Sequence, residues 1–92
     1  HTHPQLLTFA AIFQTEIINN YQKGFGLFKK AVEVAPGRPA FRINLLRAQL
    51  KMQQFSEACA TMDYLESFPD KKMIYFQREI EMAQTWLDGK CG

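Results

Sequence analysis

The chain has few of the residues that most often carry chemistry. Among its 92 residues are two histidines, at positions 1 and 3, two cysteines and one tryptophan. Acid–base catalysis needs titratable side chains that converge in a pocket, and metal sites need closely spaced or more numerous ligands. We therefore expect no independent enzymatic activity, no metal site and no cofactor.

Excess charge of one sign and long apolar runs are also missing. Eleven Lys and Arg are interleaved with nine Asp and Glu, which leaves a net charge of +2, whereas DNA-binding domains carry a dense basic stripe. The apolar run near the start, LLTFAAIF, covers eight positions, too few for a membrane span or a complete signal peptide. We expect no nucleic-acid partner and no direct membrane insertion of this segment.

The composition that remains favours a small helical domain. Hydrophobic residues make up 47% of the chain and charged residues 22%, and there are only five glycines and four prolines. These values are typical of a globular domain and not of a disordered tail. The chain starts with His1 and not with Met, so we expect it to be a processed product or a segment of a larger protein.

A repeat organises the sequence. Residues 21–36, YQKGFGLFKKAVEVAP, return one period later as residues 55–69, FSEACATMDYLESFP. Gly24 pairs with Ala58 and Phe28 with Met62, each 34 residues apart. Both copies have an aromatic residue first, a small residue three positions later, bulky apolar residues and then a proline. A period of this length is typical of arrays built from one repeated helical unit.

These residues resemble those of the tetratricopeptide repeat (TPR) family, whose unit is a pair of antiparallel helices. The resemblance implies an all-α fold in which antiparallel helical hairpins stack as a short right-handed superhelix. Two units, at residues 5–37 and 39–70, and a closing helix at 71–88 would form a single TPR-like domain over residues 1–92. At Gly24 the family pattern requires a small residue so that the two helices of a unit can approach closely.

The spacing of apolar residues predicts five helices. They run over residues 4–18, 21 or 22–34, 39 or 40–52, 55–68 and 71–88, with Thr2 or His3 capping the first and Asn20 the second. The third helix has two neighbouring apolar stripes, which predicts cover on more than one side. In the fifth helix a single stripe predicts one buried face, formed by Met73, Phe76, Ile80, Ala83 and Leu87.

The two cysteines are predicted to remain unpaired. If the fourth and fifth helices run antiparallel across the turn at Pro69 and Asp70, Cys59 lies opposite a residue near Ile80, and Cys91 lies on the order of 16 Å further along, beyond disulfide reach. Cys59 also lacks a histidine partner that would make it a nucleophile. We expect it to be a small core residue, and the cellular compartment stays open.

The TPR resemblance also implies a concave binding surface made by the first helices of the units. An apolar end and a basic end would suit an amphipathic helix or an extended peptide with an acidic flank. The predicted peptide-binding residues are Leu6, Phe9, Phe13 and Ile17 from the first helix, and Ile43, Arg47, Leu50 and Lys51 from the third.

Two other apolar surfaces keep alternatives open. The first helix is apolar nearly all round, so part of it could line the groove, contact a second copy in a homo-oligomer or pack against a preceding helix. Trp86, at a flank of the fifth helix, is either an exposed anchor or packs against the end of the fourth helix.

Two functions follow as expectations. The first is a scaffold for protein–protein interaction that binds a peptide or helix in the groove. The alternative is a soluble, periplasmic TPR-like appendage of a bacterial membrane enzyme. For this alternative, the opening HPQLL at residues 3–7 and the junction PGRPAFRINLL at residues 36–46 look like the tails of O-oligosaccharide ligases and polymerases.

Overall fold

Every regular element in the described part of the chain is helical. The computed structural model describes residues 3–91, so His1, Thr2 and Gly92 lie outside it. The elements, in chain order, are α1 (Pro4–Ile12), a π-helical turn (Phe13–Ile17), α2 (Tyr21–Val34), α3 (Pro39–Lys51), α4 (Phe55–Glu66), α5 (Asp70–Met73), a 3₁₀ turn (Ile74–Phe76) and α6 (Gln77–Leu87). Elements that follow one another along the chain pack against each other from α1 to α4. The predicted all-α class is confirmed.

The first two helices begin where the sequence predicts. The backbone N–H of Gln5 donates to Nδ1 of His3 at 3.2 Å, and Pro4 occupies the first turn of α1. At the start of α2, Oδ1 of Asn20 accepts from the backbone N–H of Lys23 at 3.2 Å. Each cap satisfies one of the backbone donors that a helix leaves free at its N-terminus.

The turns after the π-helical turn and after α3 each contain a residue with a left-handed backbone conformation. Asn19 has a φ of 62° and Gln53 a φ of 57°, the only positive φ values among the non-glycine residues of 3–91. These two residues are 34 positions apart, whereas the helix starts at Pro4 and Pro39 are 35 apart. The π-helical turn adds one residue to a helix, and it lies between Pro4 and Asn19. It therefore accounts for the one-residue difference in length between the two helices.

At Gly24, α2 approaches the preceding helix closely. A Cβ atom built on Gly24 would overlap Cγ2 of Thr15 and lie 3.0 Å from the carbonyl oxygen of Ala11. Thr15 is held in place because its hydroxyl donates to the Ala11 carbonyl oxygen at 3.1 Å. The close approach predicted at Gly24 is confirmed, and Gly26, where an added Cβ would meet nothing within 4 Å, has no such role.

The central helix, α3, is covered on two sides because it contributes to two hydrophobic cores, the first core shared with α1 and α2 and the second core shared with α4, α5 and α6. Phe41, Leu45 and Ala48 pack with buried residues of α1 and α2. Its second stripe packs with buried residues of α4, α5 and α6, and it consists of Ile43, Leu46 and Leu50. The two predicted stripes of this helix are thus confirmed. Between α3 and α4, the buried hydroxyl of Thr61 also donates to Oε1 of Gln49 at 2.8 Å.

The fifth predicted helix is not continuous, which corrects the prediction for residues 71–88. Four residues of α5 are followed by the 3₁₀ turn Ile74–Phe76, and a new helix, α6, begins at Gln77. The apolar stripe is nevertheless packed in the second core, with Met73, Ala83 and Leu87 buried and Phe76 and Ile80 packed against them. The periodicity identified the buried face correctly but did not reveal the break.

Cys59 and Cys91 form a disulfide, so the prediction that they remain unpaired was wrong. Their Cα atoms are 5.6 Å apart. The predicted separation counted a helical rise for each residue from Ile80 to Cys91, whereas the structure breaks the helix at Ile74–Phe76, ends α6 at Leu87 and turns the chain at Gly89, where φ is 78°. Lys90 then lies over the ring of Phe55 at 5.2 Å from its centroid, at the start of α4. Cys59 is half of a covalent bridge as well as a partly buried neighbour of the core.

Candidate functional site

A groove lies between α3 and α6. Its volume is about 370 Å³. Buried apolar side chains line it from both helices, and they are Ile43, Leu46, Leu50 and Ala83. Two larger apolar side chains of α6 also line it and are more than half exposed, Met82 at 58% and Trp86 at 54%. The groove therefore offers apolar surface that the chain itself does not cover.

Three charged side chains line the same groove: Arg47, Lys51 and Glu79. Arg47 is exposed and has no ion-pair partner among residues 3–91. Oε2 of Glu79 is buried and has no hydrogen-bond partner within that same range. A buried carboxylate oxygen without a donor is costly. A bound group that donates an N–H or O–H to Glu79 would remove that cost.

Lys51 forms an ion pair with the first hairpin, which consists of α1, the π-helical turn and α2. Its Nζ lies 2.9 Å from Oε1 of Glu16, in the π-helical turn. The hydrogen bond from Lys51, together with its positive charge, holds the pKa of the Glu16 carboxyl below its ordinary value. Since both side chains are about half exposed, the pair contributes little to stability. It does connect the π-helical turn to the end of α3.

On the other side of Arg47 and Lys51 lies a second pocket, between the first helix and α3. It measures about 240 Å³, and both basic residues line it together with Ile12, Glu16 and Asn44. The two basic side chains thus stand between the pockets and are accessible from either one. A ligand that spans both pockets would cross a positively charged ridge.

The predicted peptide-binding residues divide into two groups in the structure. Ile43, Arg47, Leu50 and Lys51 all line the groove between α3 and α6. Ile43 and Leu50 are only 4% and 8% exposed, so they form the base of the groove and are not free anchors. The four residues from the first helix line neither this groove nor the second pocket, and they are Leu6, Phe9, Phe13 and Ile17.

The sequence analysis missed the contribution of α6 to this groove. Glu79, Met82 and Trp86 follow one another at spacings of three and four residues, which places them on one side of a helix. That spacing was the available signal. It was overlooked because the TPR resemblance implies a binding surface made by the first and third helices. Trp86 faces α3 in this groove, which favours the exposed-anchor alternative.

Two other kinds of feature are not found in residues 3–91. That range contains no group of three or more His, Cys, Asp or Glu side chains arranged to hold a metal ion. No helix within it has the length and apolar character needed to cross a membrane.

Comparison with protein-family models, with curated proteins and with solved structures gave no match in any of the three.

Proposed function

We propose that the chain is a TPR-like scaffold for protein–protein interaction that binds an amphipathic peptide segment in the groove between α3 and α6. The observation that carries the proposal is the pair of half-exposed side chains, Met82 and Trp86, beside a buried apolar base. Tryptophan is enriched among the residues that dominate binding energy at interfaces. An apolar side chain of the peptide would fill the space between them and α3.

The charged side chains define the polar part of the bound segment. Arg47 would pair with a carboxylate of the peptide, since guanidinium groups bind carboxylates with two parallel hydrogen bonds. At the other polar position, Oε2 of Glu79 would accept from a backbone N–H or from a basic side chain. The preferred segment is therefore apolar in its middle, with an acidic residue next to Arg47 and a donor next to Glu79.

The TPR-like arrangement is supported by the chain's internal correspondences. The buried small residues Gly24 and Ala58, and the two turns with positive φ at Asn19 and Gln53, repeat at a separation of 34. In a TPR-like array the first helices of successive units share one face. Here α1, α3 and α6 would be those helices, and both pockets lie between them.

Peptide selection tests the proposal. Random 12-residue peptides displayed on phage would be selected for binding to the wild-type chain. The selected peptides would then be synthesised and titrated into the chain while the fluorescence of Trp86, the single tryptophan, is recorded. Trp86 reports on the groove directly. Since truncating an interface hot spot costs about 2 kcal/mol or more, we expect Trp86→Ala, measured by calorimetry, to weaken binding roughly 30-fold, with Met82→Glu also disruptive.

The matched control is Tyr75→Ala. Tyr75 is 86% exposed on the neighbouring 3₁₀ turn and does not line the groove, so this change should leave binding intact. Arg47→Glu should weaken peptides with an acidic residue and spare those without one. Selection that yields no binder, or binders that tolerate Trp86→Ala and Met82→Glu, would contradict the groove as the binding site.

The disulfide favours a second candidate, the periplasmic appendage of a bacterial membrane enzyme. Disulfides form and persist in oxidising compartments and are rare in the cytosol. In this role the groove would position a partner or substrate for a catalytic domain elsewhere in the same protein, an O-oligosaccharide ligase or polymerase. The gene upstream of this segment decides between the candidates, because an appendage requires a series of membrane-spanning helices in the same reading frame.

A further inference from the structure

The outer side of the first helix carries an apolar surface separate from the groove. We call it the α1 stripe, and it consists of Leu6 and Phe9 of α1 with Phe13 and Ile17 of the π-helical turn, which are between 51% and 65% exposed. The buried residues of the same helix, Leu7, Thr8, Ala11 and Thr15, lie on the opposite side, against α2. The α1 stripe is therefore a row of apolar side chains that the residues of 3–91 leave more than half exposed.

From this surface we infer that the chain forms a two-fold dimer in which two α1 stripes pack against each other in antiparallel orientation. The order of the side chains supports an isologous contact. From one end to the other the stripe reads aliphatic, aromatic, aromatic, aliphatic. In an antiparallel pair, Leu6 therefore meets Ile17 of the second copy and Phe9 meets Phe13, and the same contacts recur across the axis, as two-fold symmetry requires.

The charge distribution removes the main obstacle to self-association. No Asp, Glu, Lys or Arg occurs before Glu16, so two copies of the stripe approach without like-charge repulsion. Glu16 lies near one end of the helix and is paired with Lys51 of its own chain. Antiparallel packing places the two copies of Glu16 at opposite ends of the contact. A partner recognised by charge would find no charged group on the stripe.

The area is sufficient for a weak dimer. A half-exposed Phe presents about 100 Å², and the stripe with its exposed neighbours Ile12 and Ile18 presents about 500 Å². Two facing copies would bury about 1,000 Å², the lower bound for a specific interface. We therefore expect a reversible dimer with a dissociation constant on the order of 10–100 μM.

Sedimentation equilibrium of the 92-residue chain, from about 5 to 500 μM, tests this inference by bracketing that dissociation constant. The wild type should change from monomer to dimer across this range. Phe9→Lys and Phe13→Glu should each weaken association at least tenfold, because the dimer of either variant would bury two introduced charges, one from each copy, against phenylalanine. Both positions are more than half exposed in the monomer, so circular dichroism should show unchanged helix content.

Mixing the two variants tests the orientation. In an antiparallel pair the introduced ammonium of one chain faces the introduced carboxylate of the other, and the remaining two phenylalanines face each other, so an equimolar mixture should recover the dimer. A parallel pair would leave both charges unpaired and would not recover. Ile74→Glu, an exposed apolar position outside the stripe, is the control and should dimerise like the wild type.

Four results would overturn the inference. The wild type could remain monomeric throughout the range, or each single variant could dimerise as well as the wild type. The chain could also assemble beyond the dimer, or the mixture of the two variants could fail to form the dimer. The third result would point to a head-to-tail contact between the stripe and another surface. None of these readouts depends on peptide binding, so the inference and the proposed function fail separately.

Discussion

Gly24 and Gly26 are two positions apart on α2, yet their surroundings differ completely. A side chain at Gly24 would meet Thr15 and the Ala11 carbonyl, whereas one at Gly26 would meet nothing within 4 Å. Glycine within a helix costs about 1 kcal/mol relative to alanine. At Gly24 the close packing of two helices offsets that cost. At Gly26 nothing in residues 3–91 does.

Alanine substitution at these two positions should have opposite effects on stability. Gly24→Ala forces the two helices apart, and the overpacking of about 1–3 kcal/mol exceeds the gain in helix propensity. We expect a net loss of up to about 2 kcal/mol. Gly26→Ala should raise the free energy of unfolding by about 0.5–1 kcal/mol. Urea unfolding followed by circular dichroism measures both, and changes of the same sign would contradict the assigned contact.

At the scale of single residues, the sequence predicted Gly24 correctly and Cys59 incorrectly. The reason for Gly24 is local, since the small residue recurs at Ala58 in the second copy. The partner of Cys59 depends on where the chain turns after α6 and on the break before it. Both are tertiary properties, and neither could be read from the spacing of the two cysteines.

At the scale of elements, the two helical hairpins differ mainly at the ends of their first helices. The turn after the first helix places Asn in the left-handed region, and the turn after α3 places Gln there. Asparagine tolerates this conformation better than other non-glycine residues, because its short side chain can hydrogen-bond locally. The two residues therefore have similar φ values but unequal strain.

This inequality predicts different responses to glycine. Gln53→Gly removes a left-handed penalty of about 1–2 kcal/mol and adds some entropy to the unfolded chain, so we expect a net stabilisation of about 0.5–1 kcal/mol. Asn19→Gly relieves less strain and should change stability by less than about 0.5 kcal/mol. Thermal unfolding monitored by circular dichroism compares the two. Equal shifts would mean that the two turns do not differ in strain.

Most helix boundaries could be predicted, because they are marked by local chemistry. Pro4, Asn20 and Pro39 mark helix starts, and α2 runs over the predicted residues. The break at Ile74–Phe76 could not be predicted, since no glycine or proline lies within it and the apolar stripe continues through it in phase. Tertiary packing of α5 and α6 against the second core decides that geometry, as it often does when local preference is weak.

For the whole molecule, the arrangement of helices determines which predicted site residues meet. The TPR resemblance placed Ile43, Arg47, Leu50 and Lys51 on a binding surface, and these four residues line the α3 side of the groove. It assigned the other half to the first helix. In the structure, α6 forms that half, and the α1 stripe faces outward. Choosing between two apolar helices as the partner of α3 requires their relative orientation, which periodicity alone does not contain.

The disulfide closes the second core covalently. Cys59 lies on α4 and Cys91 follows the turn at Gly89, so the bridge holds the end of the chain against α4. It joins residues separated by 32 positions. In the chain-entropy treatment, a loop of this length destabilises the unfolded state by about 3.5–4 kcal/mol. For a domain of this size that is a large share of a total stability of about 5–15 kcal/mol.

Removing the bridge should therefore lower the free energy of unfolding by about 2–4 kcal/mol. The double variant Cys59→Ser and Cys91→Ser, measured by urea unfolding, gives this value. Treatment with dithiothreitol should produce a similar loss in the wild type and should leave the double variant unchanged, which separates the effect of the bridge from that of the packing of Cys59.

The first core does not contain the bridge, so amides of α1 and α2 should lose less hydrogen-exchange protection than those of α4 and α6. Equal stability of the wild type with and without reductant would contradict a bridge that restrains the unfolded chain.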